Sequence, residues 1–255
     1  MRAGSRRGWI RWRETRWQGE QQQGGARPGE AARAAVRQSA QFILRRPCML
    51  DLTRPSDWLA FSAVAISSVT GVLQAEAKRV DLFGVILIAL AAGLGGGTVR
   101  DVLIGRQVFW IADQRYLFVA IGAAAVTVLA AHWRPVPRRL FLLPDALGLA
   151  LFAVVGTGIA LDHGVPWFAA TFMGVITGVF GGVLSDVLRN EVPLVFGGTL
   201  YATAAWAGAL LYVWLQMQGL AATMAALWAA VLILALRLVA LRYKLTLPGF
   251  GGGPR

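Results

Sequence analysis

Asp101 and Asp186 hold the same place in two copies of one pattern, and in an apolar chain they are the side chains best placed to do chemistry. The first copy, residues 87–110, reads LIALAAGLGGGTVRDVLIGRQVFW; the second, residues 175–196, reads VITGVFGGVLSDVLRNEVPLVF. They align Gly96, Gly97, Asp101, Val102 and Leu103 with Gly181, Gly182, Asp186, Val187 and Leu188. Each starts as an apolar run, turns to glycine and then to charge. Glycine weakens a helix by about 1 kcal/mol relative to alanine, so a break is expected at Gly95–Gly97. Freed carbonyls there could replace part of the hydration shell of K⁺ or Na⁺. Freed amides at a half-helix N-terminus would favour a carboxylate. Asp101 and Asp186 could attract a cation, and Arg100 could pair with an acid, repel cations as a gate, or hold a carbonyl. Intramembrane charge is costly and marks a pathway by default.

The plainer alternative is that the glycines only let helices cross closely, with the charges at the interface. The recurrence of glycine and aspartate in both copies favours a pathway made of Gly95, Gly96, Gly97, Thr98, Arg100, Asp101, Gly181, Gly182, Ser185 and Asp186. An acid–base pairing of the aspartates finds no support, because the chain carries no P-loop, nucleophile elbow or metal-ligand spacing. It is not read as an enzyme, and no cofactor or tightly bound metal is expected. Cys48 is the single cysteine, and His132 and His163 fall near expected helix ends.

The chain of 255 residues is 56% hydrophobic and only 15% charged, below the roughly 25% of soluble domains. Hydropathy over windows of about 19 residues predicts seven membrane helices at 57–76, 82–106, 116–133, 145–161, 167–189, 198–217 and 221–241. The expected class is an all-α polytopic membrane protein. Residues 52–135 and 143–217 are two three-helix repeats, followed by a seventh helix at 220–242 and a flexible tail at 243–255. Three is an odd number, so the second copy must be inverted. Two glycine-broken, charged helices in matching halves are the pattern of an inverted-repeat transport protein. Gly148, Gly156, Gly158, Gly174 and Gly178 read as packing surfaces, and Trp58, Trp110, Trp133, Trp167 and Trp214 as an interfacial belt.

The net charge of +12 is uneven: residues 1–48 hold eleven arginines against Glu14, Glu20 and Glu30. This segment could bind anionic lipid or nucleic acid, could be a disordered basic tail, or could go untranslated, with the start at Met49. No nucleic-acid partner is expected for the body of the chain. Lysine and arginine gather on one side (Lys78, Arg79, Arg134, Arg138, Arg139, Arg189, Arg237, Arg242, Lys244) against Arg106 and Arg115 on the other. That bias puts the C-terminus in the cytoplasm and the N-terminus outside.

At GLGGGTVRD and GVFGGVLSD, the DVL after each, and NEVPLVF after the second, the chain resembles the bacterial branch of the trimeric intracellular cation (TRIC) channel family, formerly an uncharacterised membrane family with duplicated three-helix units. The resemblance covers about residues 52–245. It implies a homotrimer in the bacterial inner membrane. Each subunit would have its own pore for K⁺ or another monovalent cation, lined by bent second and fifth helices. Some bacterial relatives are thought to carry glycine, so glycine transport through the same helices is the alternative. A third reading is a structural or regulatory subunit. The family's arginine–aspartate pair is here Ser185 and Asp186 in the second copy, which removes a positive charge from the expected pathway. Phe180 stands where a third glycine would be.

Overall fold

The computed structural model describes residues 55–75, 80–133, 141–197 and 200–246. The basic segment 1–48 and residues 247–255 lie outside the described residues, and with them the expectations made for the tail. The described elements are α1 (Pro55–Ala75), α2 (Leu82–Leu103), a short α3 (Phe109–Ala112), α4 (Arg115–Trp133), α5 (Leu142–Asp162), α6 (Trp167–Leu188), a 3₁₀ turn (Leu194–Phe196), α7 (Ala202–Met217) and α8 (Ala222–Tyr243). The all-α class is as expected. Six of these helices are long and apolar enough to cross a membrane. The remaining expected span, α7, has 16 residues, about 24 Å at 1.5 Å per residue, short of the roughly 30 Å hydrocarbon core.

The ends of α2 and α6 follow from local chemistry. Asp81 caps α2 by accepting a hydrogen bond from the Gly84 amide at 2.8 Å, meeting one of the orphan donors of a helix start. Both helices stop just before a left-handed residue, Gly105 (φ +69°) after α2 and Asn190 (φ +54°) after α6. Glycine and asparagine are the residues that tolerate this backbone.

The expected glycine breaks do not interrupt the helices. α2 runs helical through Gly95–Gly97, and α6 through Gly181 and Gly182. The glycine penalty is measured in water, which can satisfy an opened backbone. In hydrocarbon, each freed amide or carbonyl costs several kcal/mol, and the helix stays closed.

The packing places α2 and α6, from different repeats, against each other. α1 lies against α2, α5 and α4, while α8 lies against α7 and α5. One core cluster gathers Leu149, Ala153, Val179, Tyr201, Tyr212 and Ile233; a second gathers Val64, Leu94, Tyr116 and Phe152. Most buried apolar positions are alanine, a small residue that allows close helix approach in a membrane.

Candidate functional site

The centre of the molecule is a backbone-to-backbone crossing of α2 and α6. A Cβ at Gly96 would overlap the Thr177 carbonyl oxygen, and one at Gly181 would overlap the Ala92 carbonyl oxygen. Residues 92 and 96 correspond to 177 and 181 in the repeat, so the contact is two-fold symmetric in sequence. Gly95 sits beside it, its Cα hydrogen aimed at Leu184, whose Cδ1 would lie 2.6 Å from an added Cβ. Gly156 and Gly174, read as packing positions, meet Thr177 and Thr157 of the neighbouring helix. Close crossing is therefore what Gly95, Gly96 and Gly181 accomplish.

Gly97 and Gly182, equivalent in the repeat, do not share a fate. An added Cβ at Gly97 would strike the Phe109 ring at 2.6 Å, whereas at Gly182 it would meet only the Tyr201 hydroxyl at 3.5 Å. Gly182 and Gly178 form one wall of a small cavity of about 20 Å³. That is room for a water molecule or two. Its polar lining is Ser67, Thr70 and Gln74 from α1, Asp145 from the first turn of α5, and Tyr201 ahead of α7. The Tyr201 hydroxyl donates to Asp145 Oδ1 at 3.0 Å. The sequence reading missed every one of these five side chains. The available signal was a run of hydroxyl and amide residues at positions 67, 70 and 74, spaced to share one face of an otherwise apolar helix.

The matching space in the first half is filled. Phe61 stacks on Tyr116 at 4.3 Å between ring centroids, and Phe109 meets Tyr116 edge-on at 4.8 Å. The Arg100 guanidinium lies 5.9 Å from the Phe109 ring centre. The two halves of the bundle are alike in backbone and opposite in filling.

The aspartates are fully engaged. Asp101 is 0% exposed; its Oδ1 accepts from Arg100 Nε (2.9 Å) and Nη2 (2.7 Å), and its Oδ2 accepts from the Phe109 amide at 2.8 Å. Arg106 adds a second cation at 3.5 Å. Asp186 repeats the arrangement eight residues from its own partner, accepting from the Leu194 amide at 2.9 Å through Oδ2. Each carboxylate thus holds the first amide of the short helical segment that follows, α3 or the 3₁₀ turn. The positive charge that Ser185 lacks is restored by Arg189, one turn on, whose Nη2 donates to Asp186 Oδ1. Arg189 and Ser185 both donate to Gln74 Oε1, at 3.2 and 3.4 Å. Thr98 accepts from Trp110 Nε1 at 2.9 Å and donates to the Leu94 carbonyl at 2.8 Å. Trp110 therefore ties α3 to α2 rather than joining an interfacial belt, whereas Trp58, Trp133, Trp167 and Trp214 are exposed. No cluster of three or more metal-ligating side chains occurs among the described residues.

One charge sits where the sequence reading did not look. Arg237 of α8, assigned there to a cytoplasmic loop bias, is 1% exposed. Its guanidinium lies 4.4 Å from the Tyr201 ring centre, and Nη2 is 3.8 Å from Asp145 Oδ2.

Comparison with known proteins places the chain among related membrane proteins. Residues 57–132 and 142–217 each match the model of a family described as glycine transporter. A UPF0126 membrane protein of Vibrio cholerae is 39% identical over 189 residues, covering 73% of this chain and 79% of that protein. The UPF0126 inner membrane protein YadS of Escherichia coli K12 is 35% identical over 196 residues, covering 76% and 95%. Among solved structures, a TRIC trimeric intracellular cation channel orthologue from Rhodobacter sphaeroides superposes with a TM-score of 0.71 at 36% identity, covering 74% of this chain and 98% of that one. A prokaryotic TRIC channel crystallised in 0.5 M KCl gives 0.69 at 26% identity, covering 75% and 98%.

Proposed function

The chain belongs to the two-repeat membrane family described as glycine transporter, with the UPF0126 proteins and the TRIC channels, and from that premise we propose that it is a passive channel for monovalent cations, K⁺ first among them. The observation that carries this is the polar cavity beside the α2–α6 crossing. Hydroxyl side chains, Gln74 and the Asp145 carboxylate line a space of one or two waters there. Such a ligand set can substitute for part of a hydration shell without trapping the ion. The cavity is built within one chain, so each subunit has its own path. A homotrimer follows the likeness to the trimeric Rhodobacter channel. Of the expected sites, Gly182 borders the path, joined there by Gly178, which was read as a packing position; Ser185 and Asp186 support it, and the rest hold the crossing and the loops.

We propose an inner-membrane location, the one in the YadS relative's name, and, from the lysine and arginine bias, a cytoplasmic C-terminus. Arg237 drops out of the charge count, being buried, but Arg189 and Arg242 remain on the cavity side. The cavity then faces the cytoplasm, and the Phe61–Tyr116–Phe109 stack closes the outer half. Phe109→Ala should raise K⁺ flux several-fold in liposomes; unchanged flux would move the outer constriction elsewhere.

The family description favours a second reading, transport of glycine. Five heavy atoms exceed the space now open, so that reading requires Tyr201 or Gln74 to move aside. Liposomes containing the full chain separate the two. Fast, non-saturating K⁺ movement reported by a potential-sensitive dye, without uptake of labelled glycine, is the expected result. Saturable glycine uptake without K⁺ leak would replace the channel with a carrier.

A further inference from the structure

Arg237 is a buried cation on the one helix that belongs to neither repeat. It stands six residues inside the end of α8, about 9 Å along the helix axis, and it is the largest fully buried side chain among those described. An arginine this close to a helix end ordinarily reaches back to the interface. Here the guanidinium instead points into the bundle, over Tyr201 and toward Asp145 Oδ2, and donates to the Leu200 carbonyl at 3.4 Å. Both Tyr201 and Asp145 line the cavity.

The repeat explains why a cation is needed there. Tyr116 and Tyr201 are equivalent positions. Around Tyr116 the positive charge comes from Arg100 of α2, lying over Phe109 in the same ring cluster. The residue equivalent to Arg100 is Ser185, whose hydroxyl is spent on Gln74. Arg189 serves Asp186, and among the described residues no other cation of the second repeat is set against Asp145 or Tyr201. Asp145 Oδ1 is occupied by the Tyr201 hydroxyl, and Arg237 is the cation set against Oδ2.

We propose, building on the channel reading, that Arg237 sets the charge selectivity of the path: it offsets the Asp145 carboxylate so that the cavity passes monovalent cations without holding divalent ones. A lone buried carboxylate at a site this narrow would bind Ca²⁺ or Mg²⁺, which prefer charged oxygen ligands, and would be blocked. A carboxylate partly neutralised at 3.8 Å still attracts K⁺ but releases it, as conduction requires. Supplying the cation from α8 rather than from α6 also keeps position 185 small, and so keeps the cavity open where Arg100 helps to fill the other half.

The test is K⁺ flux in liposomes at increasing Ca²⁺ for wild type, Arg237→Met, Arg237→Lys and the Asp145→Asn/Arg237→Met double variant. Removing a unit charge about 4 Å from its partner should lower the half-blocking Ca²⁺ concentration on the order of tenfold or more in Arg237→Met. Arg237→Lys should behave as wild type, and the double variant should lose the block. Equal Ca²⁺ sensitivity in Arg237→Met and wild type overturns the proposal. Should Arg237→Met not accumulate, Asp145→Asn alone decides it. With the guanidinium then unopposed, K⁺ flux should fall and chloride leak rise, and an unchanged ratio of the two overturns the proposal. Absence of K⁺ flux in the wild type would instead overturn the channel reading on which this proposal rests, whereas wild-type flux with unshifted Ca²⁺ block overturns the role of Arg237 alone.

Discussion

Gly182→Leu should abolish K⁺ flux while the protein accumulates and assembles as the wild type does, and Gly96→Ala should cost the accumulation of assembled protein itself. Both glycines lie in the repeated motif, yet their surroundings differ. Beside Gly182 an added side chain meets only the Tyr201 hydroxyl at 3.5 Å and then the cavity, so leucine fills the path without moving a helix. At Gly96 a single methyl collides with the Thr177 carbonyl of α6. Backbone cannot rotate away as a side chain can, so the crossing must separate. Overpacking of ordinary cores costs about 1–3 kcal/mol, and a main-chain collision at the centre of the bundle should be at the upper end or beyond. Yield of monodisperse protein on a sizing column and K⁺ flux, measured together, check both. A folded, conducting Gly182→Leu variant would remove the cavity from the path.

Asp101→Ala should be among the most destabilising single changes in the chain. It strips Arg100, 3% exposed, of both its hydrogen bonds to the carboxylate, and leaves the Phe109 amide without its acceptor. Breaking one side of a buried ion pair typically costs about 3–5 kcal/mol. Thermal unfolding in detergent should show the loss, and protease should cut the 104–113 connection more readily. The double change Arg100→Met/Asp101→Asn should recover part of the stability, because no buried charge is then stranded. Were Asp101 an ion ligand instead, Asp101→Asn would lower conductance with unaltered thermal stability.

Much of this architecture was legible in the chain. The three-helix duplication, its inversion and the special status of Asp101 and Asp186 follow from periodicity and from where charge interrupts apolar runs. The glycines were located in the sequence, but the expected break does not occur, and at Gly96 and Gly181 the plainer alternative, close crossing, holds. A propensity scale from water says they open a helix, whereas hydrocarbon keeps it closed and uses the missing Cβ for contact. Other features were hidden because they depend on pairings between distant segments. Nothing local in α1 says that Gln74 will meet Ser185 and Arg189, over a hundred positions later. Arg237 looked like a loop charge because a span-end arginine usually is one, and only the packing of α8 against α5 turns it inward. Ser185 read as a charge lost, since the replacement, Arg189, lies one helical turn away rather than at the aligned position.

The paired carboxylate clasps carry a consequence for how the two halves have come to differ. Asp101 and Asp186 grip main-chain amides, of Phe109 and Leu194, and so are indifferent to what side chains the gripped segments bear. After duplication those segments were free to drift, and RQVFW in one copy now stands opposite EVPLV in the other, the first opening a turn of α-helix and the second a 3₁₀ turn. Drift was fenced only where the backbone itself is at stake. A residue tolerant of positive φ had to remain four positions after each aspartate, met by Gly105 and Asn190. Proline is accommodated at 193, where no amide is called for, but at 194, as at 109, it would delete the very donor the aspartate holds. Inheritance here ran through the main chain, which left the side chains of one half free to pack as an aromatic cluster and those of the other to line a small polar cavity.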